Sequence, residues 1–319
     1  MSSHQTDDSP GTGGCLCGDA LRLLAIGEVM AEIKTKGDEG FALGFAGDSY
    51  NTAVYAAREI RVPGAVAYLT RVGSEPLSAA FVKQAADEGI DISHVAVDPD
   101  RHIGIYSVST DAHGERSFHY WRSESAARRL FAAEETAMFM PDADIIYLSG
   151  ITLAILTSAA RRRLVEVLIS RRLAGAKVAF DSNYRPKLWE NVAAARRMMQ
   201  AMWDITDIAL PSVDDEMALF GDDAEAAVID RFAGRDWEGI AIKRGMRGPV
   251  SPGLDPEAHP DFPAAASVID TTAAGDSFNG GYLAAFLAGK GEAERLAAGH
   301  ALAARVVGAP GAILPREDD

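Results

Sequence analysis

Cysteine is scarce in this chain of 319 residues, which contains only Cys15 and Cys17, both close to the N-terminus. This scarcity argues against a scaffold held together by disulfides. A lone C-x-C pair without a second pair or a neighbouring histidine is a weak metal motif, so two exposed thiols in a tail are the simpler interpretation. Because a core without cysteine is consistent with a reducing compartment, we expect a cytoplasmic protein.

Basic residues are in deficit, since 31 lysines and arginines stand against 46 aspartates and glutamates, giving a net charge of −15. Nucleic acid and anionic membrane surfaces are therefore not expected partners, because both are bound through basic patches. Long apolar runs are also missing, and none approaches the roughly 18 residues that a membrane-spanning helix needs. An anionic ligand would have to be held by local arginine, lysine or backbone N–H groups.

Three nucleotide-binding signatures are absent from the sequence. There is no G-x-x-x-x-G-K-[ST] loop, no pair of HRD and DFG motifs and no glycine fingerprint of a dinucleotide-binding fold. The first two absences exclude P-loop enzymes and protein kinases, and the third argues against a nicotinamide- or flavin-dependent enzyme.

Residues 1–20 are rich in glycine, serine and aspartate and have little apolar surface to bury, so they are predicted to form a disordered tail. Residues 21–319 are predicted to form one domain. Apolar strands and helical segments alternate along it, which predicts an α/β fold with a mainly parallel sheet. The predicted strands are Leu21–Val29, Ala65–Val72, Val95–Val97, Asp144–Leu148, Ala176–Phe180, Ile205–Pro211, Gly239–Ile242 and Ala264–Ile269.

Two segments with a period of two interrupt this alternation, Ile103–Thr110 and Glu115–Arg122, on either side of a D-A-H-G turn. They are predicted to pair as an antiparallel hairpin. Counting along the second segment places Phe118, Tyr120 and Arg122 on one face. Such a face can contact a ligand or a second copy of the chain.

The segment Asp270–Gly281, DTTAAGDSFNGG, is predicted to open a helix with a turn of small residues. The N–H groups of residues 273–276 would lack intrahelical acceptors there and would attract an anion. Asp276 lies in the same turn, where its carboxylate would repel a bound phosphate. The combination is productive if Asp276 accepts a proton from an alcohol while the N–H groups hold the phosphoryl group being transferred. A capped helix with glycines for packing is the alternative.

Polar residues also lie at the ends of other predicted elements. Gly47 and Asp48 precede a helix that is predicted to begin near Ser49, and Asp181–Trp189 and Lys243–Gly245 follow two of the strands. Ligands of parallel α/β sheets bind at the carboxyl ends of the strands, so these residues are candidate contacts. Within Asp181–Trp189, an arginine can grip a carboxylate or a phosphate with two donors.

Two motifs carry a resemblance to a known family. Ala46–Ala53, AGDSYNTA, and DTTAAGDSFNGG, about 220 residues further on, resemble the N- and C-terminal signatures of the ribokinase-like (PfkB) carbohydrate kinases. The resemblance covers residues 22–315. It implies a three-layer α/β/α kinase domain with a mainly parallel central sheet and a lid of β-strands around 32–46 and 102–122. It also implies ATP and Mg²⁺ as cofactors, a small-molecule sugar as substrate and a homo-oligomer.

Within the family, the chain resembles the 2-keto-3-deoxygluconate kinases in its AAGD turn, in Tyr120-Trp121-Arg122 and in Asn183-Tyr184-Arg185. A sugar acid needs a bidentate cation for its carboxylate, and a neutral hexose does not, so two arginines in the predicted site favour the acid. This resemblance implies that ATP phosphorylates 2-keto-3-deoxy-D-gluconate at its 6-hydroxyl, giving the 6-phosphate and ADP.

The site residues that the resemblance implies fall into four groups. The catalytic residues are Ala273, Ala274, Gly275 and Asp276. The substrate contacts are Gly47, Asp48, Asn51, Tyr106, Tyr120, Arg122, Arg185 and Asp276. The nucleotide contacts are Asn183, Arg185, Lys243, Gly245, Gly248, Ala273, Ala274 and Gly275. The N-x-x-E metal motif of the family appears as V-D-D-E, so only Glu216 carries over, as an indirect organiser of Mg²⁺.

Two other functions stay open. One is a kinase of the same family that acts on a neutral sugar such as fructose or ribose. The other is a relative that binds a sugar or a nucleotide without catalysis, against which the presence of Gly275 and Asp276 argues. A comparison of sugar acids with neutral sugars as substrates would distinguish the first alternative from the sugar-acid kinase. A measurement of ATP turnover in the presence of sugar would distinguish the second.

Overall fold

A computed structural model of the chain describes residues 22–35, 40–110, 116–132 and 140–316. Cys15, Cys17, the tail predicted over residues 1–20 and the hairpin turn at residues 111–114 lie outside these ranges. The strands of the described part, in chain order, are β1 Leu23–Ile26, β2 Met30–Thr35, β3 Phe41–Ala46, β4 Val66–Val72, β5 Val95–Val97, β6 Gly104–Thr110, β7 Arg116–Trp121, β8 Ile145–Ser149, β9 Lys177–Asp181, β10 Ile208–Ala209 and β11 Gly239–Ile240.

The helices of the described part lie between these strands and after the last of them. In chain order they are α1 Asp48–Ile60, α2 Pro76–Asp87, α3 Gly150–Ile155, α4 Ser158–Leu173, α5 Val192–Trp203, α6 Val213–Phe220, α7 Glu225–Ala233, α8 Ala274–Leu287 and α9 Glu292–Val306. Most of these bounds agree with the sequence pattern to within a few residues.

Seven strands form the central sheet in the order β11-β10-β9-β8-β1-β4-β5, and neighbouring strands run parallel. Strand β1, near the middle, is buried along its whole length. Leu24 and Ile26 pack with the buried residues of α4 and α5 on one face, whereas Leu23 and Ala25 pack with those of α1 and α8 on the other. A continuous apolar run is the pattern of a strand covered on both faces. The predicted three-layer α/β/α fold is confirmed.

A second sheet of four strands, in the order β3-β2-β6-β7, contains the predicted hairpin. Strands β6 and β7 are antiparallel, with Tyr106 opposite Tyr120. Strand β2 runs parallel to β6 and antiparallel to β3. We call this second sheet the lid sheet, since it carries the residues that the sequence assigned to the lid.

The prediction of one strand over Leu21–Val29 is wrong. Strand β1 ends at Ile26 and the chain then crosses to the lid sheet, where β2 begins at Met30. Val29, Met30 and Ala31, which lie beyond the end of β1, are also apolar and buried, so the hydrophobic pattern does not mark the point where the chain passes between sheets.

The strand predicted over Ala264–Ile269 is absent, and this segment is irregular. The backbone N–H groups of Ile269 and Asp270 both donate to the carbonyl oxygen of Val307, at the end of α9, at 2.8 and 3.2 Å. Val268 and Ile269 are 58% and 57% exposed. This short apolar segment has no neighbouring strand to pair with in the described part of the chain, and it forms a partly exposed connection to α8.

Candidate active site

The turn before α8 places Asp276 in the first turn of that helix. Ala273, at the N-cap, has a left-handed backbone with φ of 62°. The N–H of Ala274 donates to the carbonyl oxygen of Thr271 at 3.2 Å, so the prediction of free donors over residues 273–276 is wrong for this residue. Within the described part of the chain, the N–H groups of Gly275 and Asp276 have no protein acceptor. Two adjacent donors and the positive end of the helix dipole therefore remain for an anion.

Helix α1 holds the Asp276 side chain from one side. Asn51 donates its Nδ2 to Asp276 Oδ2 at 2.8 Å, and Thr52 donates its hydroxyl to the Asp276 carbonyl at 3.1 Å. The two helices approach closely because Gly280 faces α1: a Cβ there would lie 2.7 Å from the Cβ of Tyr55 and 3.0 Å from the Thr52 carbonyl oxygen. The two motifs that carry the family resemblance thus meet in space.

The carboxyl of Asp276 ionises near neutrality. Burial, followed by the nearby charge of Asp48, raises the pKa of Asp276 to about 7, although the Asn51 hydrogen bond and Lys243 act in the opposite direction. A general base is most effective when its pKa is close to the working pH. The environment therefore suits Asp276 to accept a proton at neutral pH.

Asp48 is held by residues from two strand ends. Its Oδ2 accepts hydrogen bonds from the Ser149 hydroxyl, at the end of β8, and from Asn183 Nδ2 at 3.0 Å. Asn183 has a left-handed backbone with φ of 29°, and its N–H donates to Asp181 Oδ1 at 3.2 Å. Burial raises the pKa of Asp48. The turn after β9 therefore places Asn183, a predicted nucleotide contact, in hydrogen-bond contact with Asp48, a predicted substrate contact.

Lys243 provides the positive charge at this end of the sheet. Its Nζ lies 2.8 Å from Asp181 Oδ2, and it is 3.7 Å from the position that a Cβ on Gly275 would take. The ammonium therefore lies beside the anion-binding turn of α8. This position is consistent with the prediction that Lys243 contacts a nucleotide phosphate.

The lid sheet presents a row of aromatic rings. Tyr106 and Tyr120 stack with ring centroids 5.8 Å apart, and Phe118 stacks on Tyr120 at 6.4 Å. The Tyr106 hydroxyl donates to Glu32 Oε1 at 2.6 Å. The guanidinium of Arg122 lies 5.9 Å from the centre of the Tyr120 ring. Phe118, Tyr120 and Arg122 therefore lie on one face of the lid sheet, as the sequence predicted.

Arg122 forms an ion pair with Glu28, which was not among the predicted site residues. Arg122 Nη2 and the hydroxyl of Ser125 donate to the two carboxylate oxygens of Glu28. The Arg122 side chain is 11% exposed, and its buried Nε has no partner within the described part of the chain. Glu28 therefore fixes the position of the Arg122 guanidinium at the edge of the lid sheet.

Arg185 occupies a more open position than Arg122. Its Nη1 donates to the Tyr184 carbonyl at 2.9 Å and to Asp215 Oδ1 at 3.0 Å. The two arginines therefore pair with different carboxylates, Glu28 and Asp215. Their convergence on one substrate remains a prediction.

Gly245 and Gly248 shape the turn that follows Lys243. Both have positive φ, 59° and 74°, and a Cβ on Gly248 would lie 2.5 Å from the ring of Phe262. Glycine is required here for the path of the backbone. Their contact with a nucleotide remains a prediction.

Glu216 is fully buried in α6. Its two oxygens accept from Trp203 Nε1 and Arg231 Nη2, both at 3.2 Å, and burial raises its pKa to about 7. The described residues contain no cluster of three or more acidic, histidine or cysteine side chains that could hold a metal. Because Mg²⁺ is usually held by one or two carboxylates together with substrate phosphates, the role of Glu216 near the metal remains a prediction.

Several residues at the centre of the site were missed. Asp181 was among the candidate contacts at the strand ends but was assigned no role. Ser149 ends the adjacent parallel strand, and the same strand-end argument could have named it. Asn279 follows Asp276 by three residues, which places both on one face of a helix. Tyr147 gave no signal, because it lies in a buried apolar strand. Glu28 ends the first predicted apolar run, where polar residues lie at the ligand-binding edge, but it was assigned no role.

The fold and the turn of α8 are those of a carbohydrate kinase. Residues 21–319 match the pfkB family of carbohydrate kinases, and the chain belongs to this family. The 2-dehydro-3-deoxygluconokinase of Escherichia coli K12 is 39% identical over 305 residues, covering 93% of this chain and 98% of that protein. The protein of the same name from Dickeya dadantii is 39% identical over 304 residues, covering 92% and 97%. The crystal structure of a PfkB protein from Polaromonas sp. JS666 superposes with a TM-score of 0.75 at 26% identity, covering 90% and 96%.

Proposed function

We propose that this protein transfers the γ-phosphoryl group of ATP to the 6-hydroxyl of 2-keto-3-deoxy-D-gluconate, which is also called 2-dehydro-3-deoxy-D-gluconate. The observation that carries the reaction type is Asp276, with a pKa of about 7, in the same turn as two free backbone donors. The substrate rests on the names of the two relatives described above and on the position of Arg122 beside the aromatic row of the lid sheet.

In the proposed reaction, Asp276 accepts the proton of the 6-hydroxyl as the sugar oxygen forms its bond to phosphorus. The bond from that phosphorus to the bridging oxygen of ADP breaks, and ADP leaves. The N–H groups of Gly275 and Asp276 bind the oxygens of the phosphoryl group in transit, and Lys243 balances its charge. Asn51 keeps the Asp276 carboxyl oriented through the 2.8 Å hydrogen bond.

The lid sheet would recognise the sugar acid. Arg122 would bind the carboxylate through the part of its guanidinium that is not bound to Glu28, since charged forks and carboxylates match in geometry. Tyr120 would cover the carbon chain. Gly47, Asp48 and Asn51 lie nearer to Asp276, where they would bind the hydroxyls and present the terminal one to the base.

Mg²⁺, when bound with the nucleotide, would neutralise negative charge on the phosphates. Since both oxygens of Glu216 are engaged with Trp203 and Arg231, this residue would act on the metal only indirectly. We also propose a cytoplasmic homo-oligomer. No helix in the described part of the chain is long and apolar enough to cross a membrane.

The test is an ADP-release assay with ATP and a panel of 2-keto-3-deoxy sugar acids, gluconate, fructose and ribose. We expect the highest kcat/KM with 2-keto-3-deoxy-D-gluconate, and 6-phosphate as the product by NMR. A higher kcat/KM with fructose or ribose would assign the protein to a neutral sugar. If no sugar stimulates ADP release above background, the protein is a binding relative without catalysis.

A further inference from the structure

A buried polar cluster lies directly beneath the turn of α8. It consists of Asp181 at the end of β9, Lys243 beyond β11, Asn279 in α8 and Tyr147 in β8. Asn279 and Tyr147 are 0% exposed and Asp181 is 3% exposed. Four separate elements of the fold thus contribute one side chain each to a site that the reaction described above leaves largely unexplained.

The four side chains of this cluster are joined to one another by hydrogen bonds and an ion pair. Lys243 Nζ contacts Asp181 Oδ2 at 2.8 Å and Asn279 Oδ1 at 3.1 Å. Asn279 donates its Nδ2 to Asp181 Oδ2 at 2.6 Å and to the Tyr147 hydroxyl at 3.1 Å. Asn279 therefore bridges the ion pair, with its amide oxygen on the ammonium and its amide nitrogen on the carboxylate.

One donor of the ammonium is left over. A lysine ammonium has three N–H donors, and Asp181 and Asn279 account for two. The same Nζ lies 3.7 Å from where a Cβ on Gly275 would be, beside the free backbone donors of Gly275 and Asp276. The backbone of Lys243 is itself fixed, since its N–H donates to the Pro211 carbonyl at 2.8 Å and its carbonyl accepts from Val213 at 3.0 Å.

We propose that Asp181 and Asn279 are positioning residues that hold Lys243 with its third N–H directed at the phosphoryl group in the turn of α8. The proposal rests on the proposed phosphoryl transfer but not on which sugar is the acceptor. An ion pair that serves only stability would have no reason to lie against the free donors of that turn. A buried carboxylate must be compensated, and here the compensating cation is also the one that faces the transferred group.

The cluster also acts on the base. The charged and polar groups that face Asp276 are Asp48 and Asn51 from α1, Asp181 from β9 and Lys243 from the segment after β11. The three tyrosines that interact with it, Tyr55, Tyr106 and Tyr147, have raised pKa values and stay neutral near pH 7. Asp181 raises the pKa of Asp276 and Lys243 lowers it, so the two members of the pair should shift the acidic limb of the pH profile in opposite directions.

The experiment compares Asp181→Asn and Lys243→Met with wild type by pH profiles of kcat/KM and by calorimetric titration with ATP. We expect the acidic limb of Asp181→Asn to move to lower pH, and that of Lys243→Met to higher pH, each by about one unit. ATP affinity should fall about tenfold in both variants, with little change in KM for the sugar.

Asp207→Asn is the matched control. Asp207 is also a buried carboxylate in an ion pair, 2.8 Å from Arg172, but it precedes β10 and lies at the opposite edge of the sheet. This variant should lower the melting temperature without changing the pH profile or the ATP affinity. If Asp181→Asn behaves in the same way, or if both cluster variants shift the limb in one direction, the proposal is wrong.

A milder variant covers the case in which the ion pair is needed for folding. Asn279→Ser removes the amide bridge without adding charge, and we expect it to weaken ATP binding severalfold; unchanged ATP affinity in a folded Asn279→Ser protein would overturn the proposal. The pH profiles are measured with whichever sugar the wild type phosphorylates best. A different preferred sugar therefore refutes the proposed substrate without affecting this test, and ATP titration tests the cluster even if no sugar is turned over.

Discussion

The carboxyl edge of the central sheet and the lid sheet differ in the partners of their side chains and in their exposure. At the carboxyl edge of the central sheet, Asp48, Asp181 and Asn279 all have protein partners. In the lid sheet, the buried Nε of Arg122 has none in the described part of the chain, and Trp121 and Phe41 are 62% and 72% exposed. Satisfied buried networks are rigid, whereas exposed aromatic side chains remain available to a ligand. We therefore propose that the first region carries out the chemistry and that the second recognises the sugar.

The largest expected effect comes from removing the base in the central region. Asp276→Asn keeps the shape of the side chain but cannot accept the proton, and general-base catalysis contributes about 10²–10⁴-fold. We expect kcat to fall by that factor, while the KM values for sugar and ATP change little. The measurement is steady-state kinetics with both substrates varied. A variant with more than half of the wild-type kcat would mean that Asp276 is not the base.

The next largest expected effect comes from Arg122, beside the lid sheet, and concerns binding of the sugar acid rather than catalysis. Arg122→Ala removes a charge-assisted contact worth about 1.5–3 kcal/mol, which corresponds to roughly a 10- to 150-fold change. We expect KM for the keto acid to rise by this factor, with KM for ATP unchanged. The preference for the acid over its neutral alcohol analogue should shrink accordingly.

A control for Arg122 is available on the same loop region. Arg101 pairs with Glu124, whose side chain is 78% exposed, and such surface pairs contribute little. Arg101→Ala should leave both KM values unchanged. Equal preference for acid over alcohol in wild type and Arg122→Ala would show that Arg122 pairs with Glu28 without a role in recognition.

A pH profile tests the central region without mutation. Burial raises the pKa of Asp276 to about 7, so the carboxyl is increasingly protonated, and inactive as a base, as the pH falls through that value. The rate should approach its maximum well above the pKa, fall to about half of it at the pKa and to about one tenth one pH unit below. The measurement is kcat/KM between pH 5 and 9 in buffers of constant ionic strength. A midpoint near pH 4 would indicate an Asp276 that is exposed to water in the working enzyme.

The sequence predicted these two regions unequally. Motif spacing and strand patterns located Asp276, Asp48 and Asn51, because signature residues at helix openings are local features. The partners of these residues depend on tertiary structure: Asp181 meets Lys243 only because β9 and the segment after β11 lie near each other in the sheet. Glu28 was missed for a related reason, since its strand-end position gave no indication that it would lie beneath Arg122.

The smallest expected effect distinguishes the two faces of the lid sheet. Tyr120 and Trp121 are neighbours in β7, 53% and 62% exposed, but their side chains point to opposite faces. Only Tyr120 stacks on Tyr106 and lies beside Arg122. If the contact of Tyr120 with the carbon chain of the sugar contributes as much as an aromatic pair, about 0.5–1.5 kcal/mol, its loss is roughly a 2- to 12-fold effect. Tyr120→Ala should therefore raise KM for the sugar acid by that factor and leave kcat unchanged, whereas Trp121→Ala should change neither. A larger effect from Trp121→Ala would mean that the sugar acid meets the other face, and that Arg122 is not its ligand.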